Sequence, residues 1–144
     1  MAEESSLERF VEAQRQIYPQ VRAELGDGAK HSHWMWFIFP QIAGLGSSPM
    51  SHRYAIADMG EAGGYLAHPL LGPRLAECTD LMLGWAGRRG AQAILGSIDA
   101  LKFRSAMTLF EAAGGSERFG LALDRFFAGE RDDKTLAILA AIDA

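Results

Sequence analysis

Apolar residues in this chain recur at steps of three and four, and no stretch alternates with a convincing period of two, so helices must build the core. Leu7, Phe10, Val11, Ile17, Val21 and Leu25 lie on one helical stripe, with Gln14 placed on the stripe itself, where a buried amide needs a partner. Pro19 interrupts this pattern, so either the helix kinks there or a second helix starts with proline in its first turn. Gly26, Asp27 and Gly28 then end it. Ser47 or Ser48 is placed to cap a helix that begins at Pro49 and carries Tyr54, Ala55 and Ile56, after which Gly60, Gly63 and Gly64 predict a turn. Leu71, Leu75, Cys78, Met82 and Trp85 mark a further helix with Pro73 in its first turn. A short AQAIL piece follows, and Ser97 or Asp99 starts a helix with Phe103, Met107 and Phe110 on one side. Two closing helices are marked by Phe119 to Phe127 and by Leu136, Leu139 and Ala140. The expected architecture is mainly α, a single compact orthogonal array over residues 1–144 with several short helical pieces.

At 144 residues the chain is large enough for one core. A net charge of -4 argues against a protein built to hold a nucleic-acid backbone, so nucleic acid is not an expected partner. Cys78 is the sole cysteine, which rules out an intramolecular disulfide and a cysteine-based zinc cluster. The opening MAEESSLERF lacks the basic, apolar and small-residue order of a secretory signal, and no apolar run approaches the roughly 20 residues of a membrane span. A cytoplasmic protein without a membrane partner is expected.

The block KHSHWMWFIFPQ, from Lys30 to Gln41, sets charge, proton-transfer groups and hydrogen-bonding groups against flat aromatic faces. Pro40 disfavours helical geometry at Phe39, which leaves residues 33–39 either a short helix or an extended segment. His31 and His33 stand two apart, on one face of a strand but on opposite sides of a helix. With no HExxH pattern or Asp-rich loop to join them, metal coordination is disfavoured. One histidine exposed and the other bonded in the core is the plain alternative to His33 as an acid or base tuned by aromatic neighbours.

Asp99 and Lys102 share a helical face, and Ser105 lies three residues further along the same side. A helix cap and a weak surface pair are the ordinary reading of such spacing; a carboxylate, a cation and a hydroxyl along one groove are the functional one. Gly72, Pro73 and Arg74 open a helix after His68, a geometry that suits an anion. The GLGSSP loop lacks the lysine of a phosphate-binding loop and the GxGxxG of a dinucleotide fold.

The order LERFVEAQ, KHSHWMWFIFPQIAGLG with SHRYAI, LAHPLLGPRLAEC and LGSIDALKFRSAMTLF resembles the domain-of-unknown-function family numbered 1810, sometimes labelled calpastatin without apparent physical basis. The likeness covers nearly the whole chain. It implies a small, mainly helical, intracellular protein of bacterial and fungal type with no assigned activity. In the family pattern a proline usually precedes the aspartate of the last motif and a leucine follows its lysine. Here those positions hold Ile98 and Phe103, with Asp99 and Lys102 in place. The family motifs fall on Lys30, His33, Trp34, Trp36, Gln41, Tyr54, His68, Arg74, Asp99, Lys102 and Ser105. Their polarity suggests a cleft, since motifs that only built a core would be apolar.

Two functions are therefore expected in competition. In the first, a small anionic or nucleotide-like ligand occupies a cleft between the 30–41 and 99–105 motifs. Lys30, Arg74 and Lys102 meet its charge and a tryptophan stacks on it. Gln41 or Asp99 reads its hydrogen-bonding edge, and Tyr54, His68 and Ser105 complete the lining. If the ligand is hydrolysed or a group transferred, His33 is the proton carrier and Asp99 its carboxylate partner. In the second, the chain is a non-catalytic regulatory or protein-interaction module, and a homodimer is compatible with either. No cofactor fingerprint is present.

Overall fold

The computed structural model describes the backbone of residues 2–143 and the side chains of residues 7–142. Among these residues it is all-α, with a single isolated parallel bridge between Ile42 and Ile56 as its β-type pairing.

Helix α1 (Ala2–Gln14) and α2 (Tyr18–Gly26) are separate elements, and Pro19 occupies the first turn of α2. The fixed φ of proline suits a helix start and not its middle. Phe10, Val21 and Leu25 are fully buried, and the Gln14 amide is satisfied within the core. Its Nε2 donates to the Phe37 carbonyl at 2.8 Å and to the Tyr65 hydroxyl at 3.2 Å, while its Oε1 accepts from Arg74 at 3.3 Å.

Helix α3 (Met35–Ile38) is one turn long, and Phe39 leaves helical geometry at φ -123°, ψ 72°, as the following proline requires. Helix α4 (Pro49–Arg53) is capped by Ser48, whose side chain accepts the Ser51 amide at 3.1 Å. It stops at Arg53, short of the expected reach through Ile56. Ile56 is instead drawn into the bridge with Ile42, its amide donating to the Gln41 carbonyl and its carbonyl accepting the Ala43 amide, both at 2.8 Å.

The glycine-rich turn expected at residues 60–64 is instead helix α5 (Met59–Ala67). Asp58 caps it through the Glu61 amide at 2.8 Å, and burial of Ala62 and Tyr65 outweighs the roughly 1 kcal/mol by which each glycine disfavours a helix. Helix α6 (Leu71–Leu83) buries Leu71, Leu75, Cys78 and Met82 as its spacing predicts, but it ends before Gly84, so Trp85, expected on the same stripe, lies in the following turn and is half-buried.

Helices α7 (Ala91–Leu95), α8 (Ser97–Ala112), α9 (Arg118–Phe127) and α10 (Asp133–Asp143) complete the chain, and α8 packs against α5, α7, α9 and α10. Phe103, Met107 and Phe110 of α8 are fully buried, each large apolar side chain contributing about 1.5–3 kcal/mol. Ring contacts run outward from α8: Phe39 meets Phe103 edge-on at 4.8 Å between centroids, and Tyr65 meets Phe110 at 5.4 Å. Phe10 in turn meets Tyr65 at 5.1 Å, so the aromatic block and α1 share one core. In α10 the buried face is Thr135 and Leu139, while Leu136 and Ala140 are exposed. A fully buried threonine replaces the expected leucine because Asp132 accepts its hydroxyl.

No described helix is long and apolar enough to cross a membrane.

Candidate functional site

Glu24 fixes the start of the aromatic block. It lies in α2 beside Val21 and Leu25, only 3% exposed, and its carboxylate receives five hydrogen bonds. The amides of His31 and Ser32 donate to Oε1 at 2.8 and 2.9 Å, and the Trp34 indole N–H at 2.9 Å. The Ser32 hydroxyl and Gln20 amide donate to Oε2 at 2.7 and 2.8 Å. Burial alone would raise its pKa, but the donors from Ser32, Gln20 and His31 outweigh it and hold the carboxyl well below its ordinary range. Trp34 is thus a fully buried structural post.

Lys30 follows from this anchoring. Its amide donates to the Ile94 carbonyl at 2.8 Å, and its ammonium lies 2.9 Å from Asp99 Oδ2 and 5.1 Å from the centre of the Trp34 ring. Asp99 sits in the first turn of α8, where the helix dipole favours a carboxylate. Lys102, one turn on, approaches Asp99 Oδ1 at 3.9 Å and rests 5.1 Å from the centre of the Trp36 ring. Two ammonium groups therefore share one carboxylate, each over a tryptophan, and the locality carries a surplus positive charge.

Trp36 joins that cluster to a cleft of about 230 Å³ walled by Trp36, Gln41, Ile42, Gly44, Gly46, Ser51, His52, Tyr54 and their neighbours. The bridge between Ile42 and Ile56 ties its two flanking segments together. Arg9 secures them to α1 by donating to the carbonyls of Arg53 and Ala55, both at 2.6 Å. Gly46 is required here, because a Cβ would come within 2.5 Å of the Ser51 side chain. The Trp36 indole N–H is the one buried side-chain polar atom among the described residues without a hydrogen-bond partner. Leaving such a donor unsatisfied costs about 1–3 kcal/mol. Neither the Gln41 side chain nor the Tyr54 hydroxyl is held by a hydrogen bond to a described residue, so both remain available at the cleft.

The structure divides the expected site residues. Trp36, Gln41 and Tyr54 line the cleft, Lys102 covers Trp36, and Lys30 and Asp99 stand behind Lys102. His33 is exposed, and neither a hydrogen bond nor an ion pair joins it to Asp99, whose carboxylate is taken by the two lysines. His68 caps α6, with Nδ1 accepting the amides of Leu70 and Leu71 at 3.1 and 3.2 Å. Arg74 braces the α1–α2 region, bonded to Gln14 and stacked 4.4 Å from the Tyr18 ring centre.

Ser105 is turned to a different task. Its hydroxyl has one hydrogen, shared between two acceptors, Leu101 O and Asp132 Oδ2, each at 3.1 Å. Asp132 also accepts the Thr135 amide and hydroxyl and so caps α10. Burial opposes ionisation of Asp132, but bonds from Thr135 and Ser105 and the charge of Arg104 lower its pKa.

Sequence reasoning missed Glu24 and Ser51, and it missed His52 as a cleft residue. Glu24 was detectable, since its helical spacing from Val21 and Leu25 places a carboxylate next to the buried face. Ser51 and His52 reach the cleft through the turn around Gly46, which no periodicity announces. No group of three or more His, Cys, Asp or Glu residues suited to a metal occurs among the described residues.

The chain matches the model of the family described as protein of unknown function, DUF1810, over residues 4–139. It is similar to the crystal structure of the conserved hypothetical protein Rv1873 from Mycobacterium tuberculosis. The two share 47% sequence identity, with 93% of this chain and 96% of that chain covered and a TM-score of 0.90. No protein with a curated description matches.

Proposed function

This chain belongs to the DUF1810 family, and we propose that it binds a small anionic, hydrogen-bond-accepting ligand in the cleft beside Trp36. The observation that carries the proposal is the position of Lys102. Its ammonium is the looser partner of Asp99 and lies 5.1 Å from the centre of the Trp36 ring, a residue that lines the cleft, so the cation is one side chain away from the cleft lining. A cation so placed, with Lys30 already neutralising Asp99, favours an anion at the cleft mouth. The Trp36 indole N–H, buried without a partner in a residue that lines the cleft, is the donor available to an acceptor on the ligand. Gln41, His52 and the Tyr54 hydroxyl add polar edges, and the ring walls suit a planar, nucleotide-like group.

The proposal is confined to binding. Hydrolysis or group transfer by His33 and Asp99 is not part of it, since Asp99 is engaged here by Lys30 and Lys102. A cytoplasmic setting belongs to the same reading and is supported by a lone, buried, unbridged Cys78.

The test is a thermal-shift screen with nucleotides, sugar phosphates and dinucleotides on the wild type and Lys102→Met. A ligand present at 100 times its Kd adds about 2.7 kcal/mol, a shift of about 9 °C for a chain of this length. The proposal expects such a ligand and at least a tenfold loss of affinity in the variant. Absence of any stabilising ligand, or full affinity in the variant, contradicts it.

A second reading, a homodimeric interaction module, is favoured by one observation. Ile98 and Leu101, three apart on α8, are 72% and 60% exposed beside Asp99 and Lys102. Sedimentation of the wild type and Leu101→Asp decides it: a dimer dissociated by the substitution supports a second copy on this face, and a monomeric wild type removes it.

A further inference from the structure

A second groove, of about 310 Å³, lies between the 84–90 turn and the end of α9 and is lined by Gly87, Arg88, Arg89, Gly90, Arg125 and Phe126. Its chemistry is one-sided. None of the three arginines makes an ion pair with a described carboxylate, whereas Arg9, Arg15, Arg22, Arg104, Arg118 and Arg131 do; Arg53 and Arg74 share the lack but stand outside this groove. Asp124, the acid next to Arg125 in sequence, is engaged by Arg131 at 3.1 Å. In a chain of net charge -4, three uncompensated guanidinium groups in one depression are a local reversal of the overall charge.

Two of the three are also held in position. Arg89 donates from Nε to the Gly28 carbonyl and from Nη2 to the Ala93 carbonyl, each at 2.9 Å, which leaves Nη1 and one Nη2 hydrogen free. Arg88 donates from Nη2 to the Gly84 carbonyl at 2.8 Å and stacks 4.7 Å from the centre of the Trp85 ring. Trp85 is itself fixed, its indole N–H bonded to the Leu25 carbonyl at 3.0 Å. Gly28, at φ +69°, lets the chain press against it where a Cβ would stand 2.7 Å from the ring. Carbonyl-anchored guanidinium groups keep their full charge and lose little freedom on meeting an anion. Arg125 has no hydrogen bond or ion pair to a described residue, and Phe126 contributes an aromatic lining.

We infer that this groove is a second binding site, independent of the Trp36 cleft, which takes a phosphate group through the forked guanidinium donors of Arg88, Arg89 and Arg125. Guanidinium matches the tetrahedral oxygens of phosphate in paired hydrogen bonds, and the groove is an open depression that a small anion can reach from solvent. The negative net charge disfavours an extended polyanion there.

The test is isothermal titration of the protein at low ionic strength with inorganic phosphate and, in a parallel arm, phenyl phosphate. Both are repeated on Arg125→Gln, Arg125→Lys and Lys102→Met. Arg125 is exposed and bonded to no described residue, so its variants are expected to fold, which an unchanged circular dichroism spectrum verifies. Loss of one charge-assisted contact predicts Arg125-dependent binding about tenfold weaker in Arg125→Gln and intermediate in Arg125→Lys; Lys102→Met leaves that component in place and removes only the component that the probe owes to the Trp36 cleft. Equal affinity for the two probes points to free phosphate. Tighter binding of phenyl phosphate points to a phosphoryl group carried on a ring against Phe126, and either result upholds the site. No binding of either probe, wild-type affinity in Arg125→Gln, or loss of the Arg125-dependent component in Lys102→Met overturns it. Because the Lys102 arm reports on the other cleft, failure of one site is distinguishable from failure of the other.

Discussion

The Lys30 ammonium lies 2.9 Å from the Asp99 carboxylate, which joins the aromatic block to the first turn of α8 and leaves Lys102, 3.9 Å from the same carboxylate, as the less committed cation. Lys30 is only 9% exposed in its side chain and Asp99 19%, so solvent screens the pair only in part.

Asp99→Asn should therefore destabilise the fold by about 1–3 kcal/mol, since it leaves a shielded ammonium without its counter-charge. The surplus positive charge beside Trp36 then grows, so affinity for an anionic ligand should not fall. Chemical denaturation and ligand titration on the same variant check both outcomes. Parallel loss of stability and affinity would show that Asp99 itself contacts the ligand.

Glu24 governs acid stability. Its folded-state pKa lies below the ordinary carboxylate value, so its contribution is present above the unfolded pKa of about 4.3 and is lost as pH falls below it. Glu24→Gln turns an acceptor-only group into one with its own N–H donors facing the His31 and Ser32 amides. It should cost about 2–4 kcal/mol at pH 7 and flatten the decline in stability below pH ~4. Urea melts between pH 3 and 7 give the two curves; parallel curves would remove Glu24 as the source of the slope.

Cys78 should be inert in the native protein. Burial, aided by the Glu77 charge and opposed by the Tyr18 hydrogen bond and by Arg74 and Arg22, pushes its thiol up to about 12, and the thiolate is the reactive form. Alkylation at pH 8 should proceed only under denaturing conditions. Rapid modification of the folded chain would mean that α6 opens locally.

Much of the fold was legible because helical periodicity and proline placement act locally. Pro19, Pro40 and Ser48 each set a boundary through their own backbone chemistry. The glycines of α5 misled, since the burial of Ala62 and Tyr65 that holds that helix is a tertiary effect. The site was legible in part for the same reason. The three-residue spacing of Asp99 and Lys102 put them on one face, but Lys30 joins them only because Glu24 fixes the 31–34 segment. Ser105 has the spacing of a groove residue, yet Asp132, which no local pattern links to it, takes its hydroxyl for the cap of α10.

The most direct measurement is the indole N–H region of an amide-type NMR spectrum. The chain has three tryptophans, and the structure gives the indole N–H of each a different environment. Trp34 Nε1 donates to Glu24, Trp85 Nε1 donates to the Leu25 carbonyl, and Trp36 Nε1 donates to no described group. With Trp36→Phe assigning its signal, addition of a stabilising anionic ligand should move the Trp36 indole proton downfield as it gains an acceptor, while the Trp34 and Trp85 signals stay in place. A ligand that stabilises the protein yet leaves the Trp36 signal unmoved would contradict binding in this cleft.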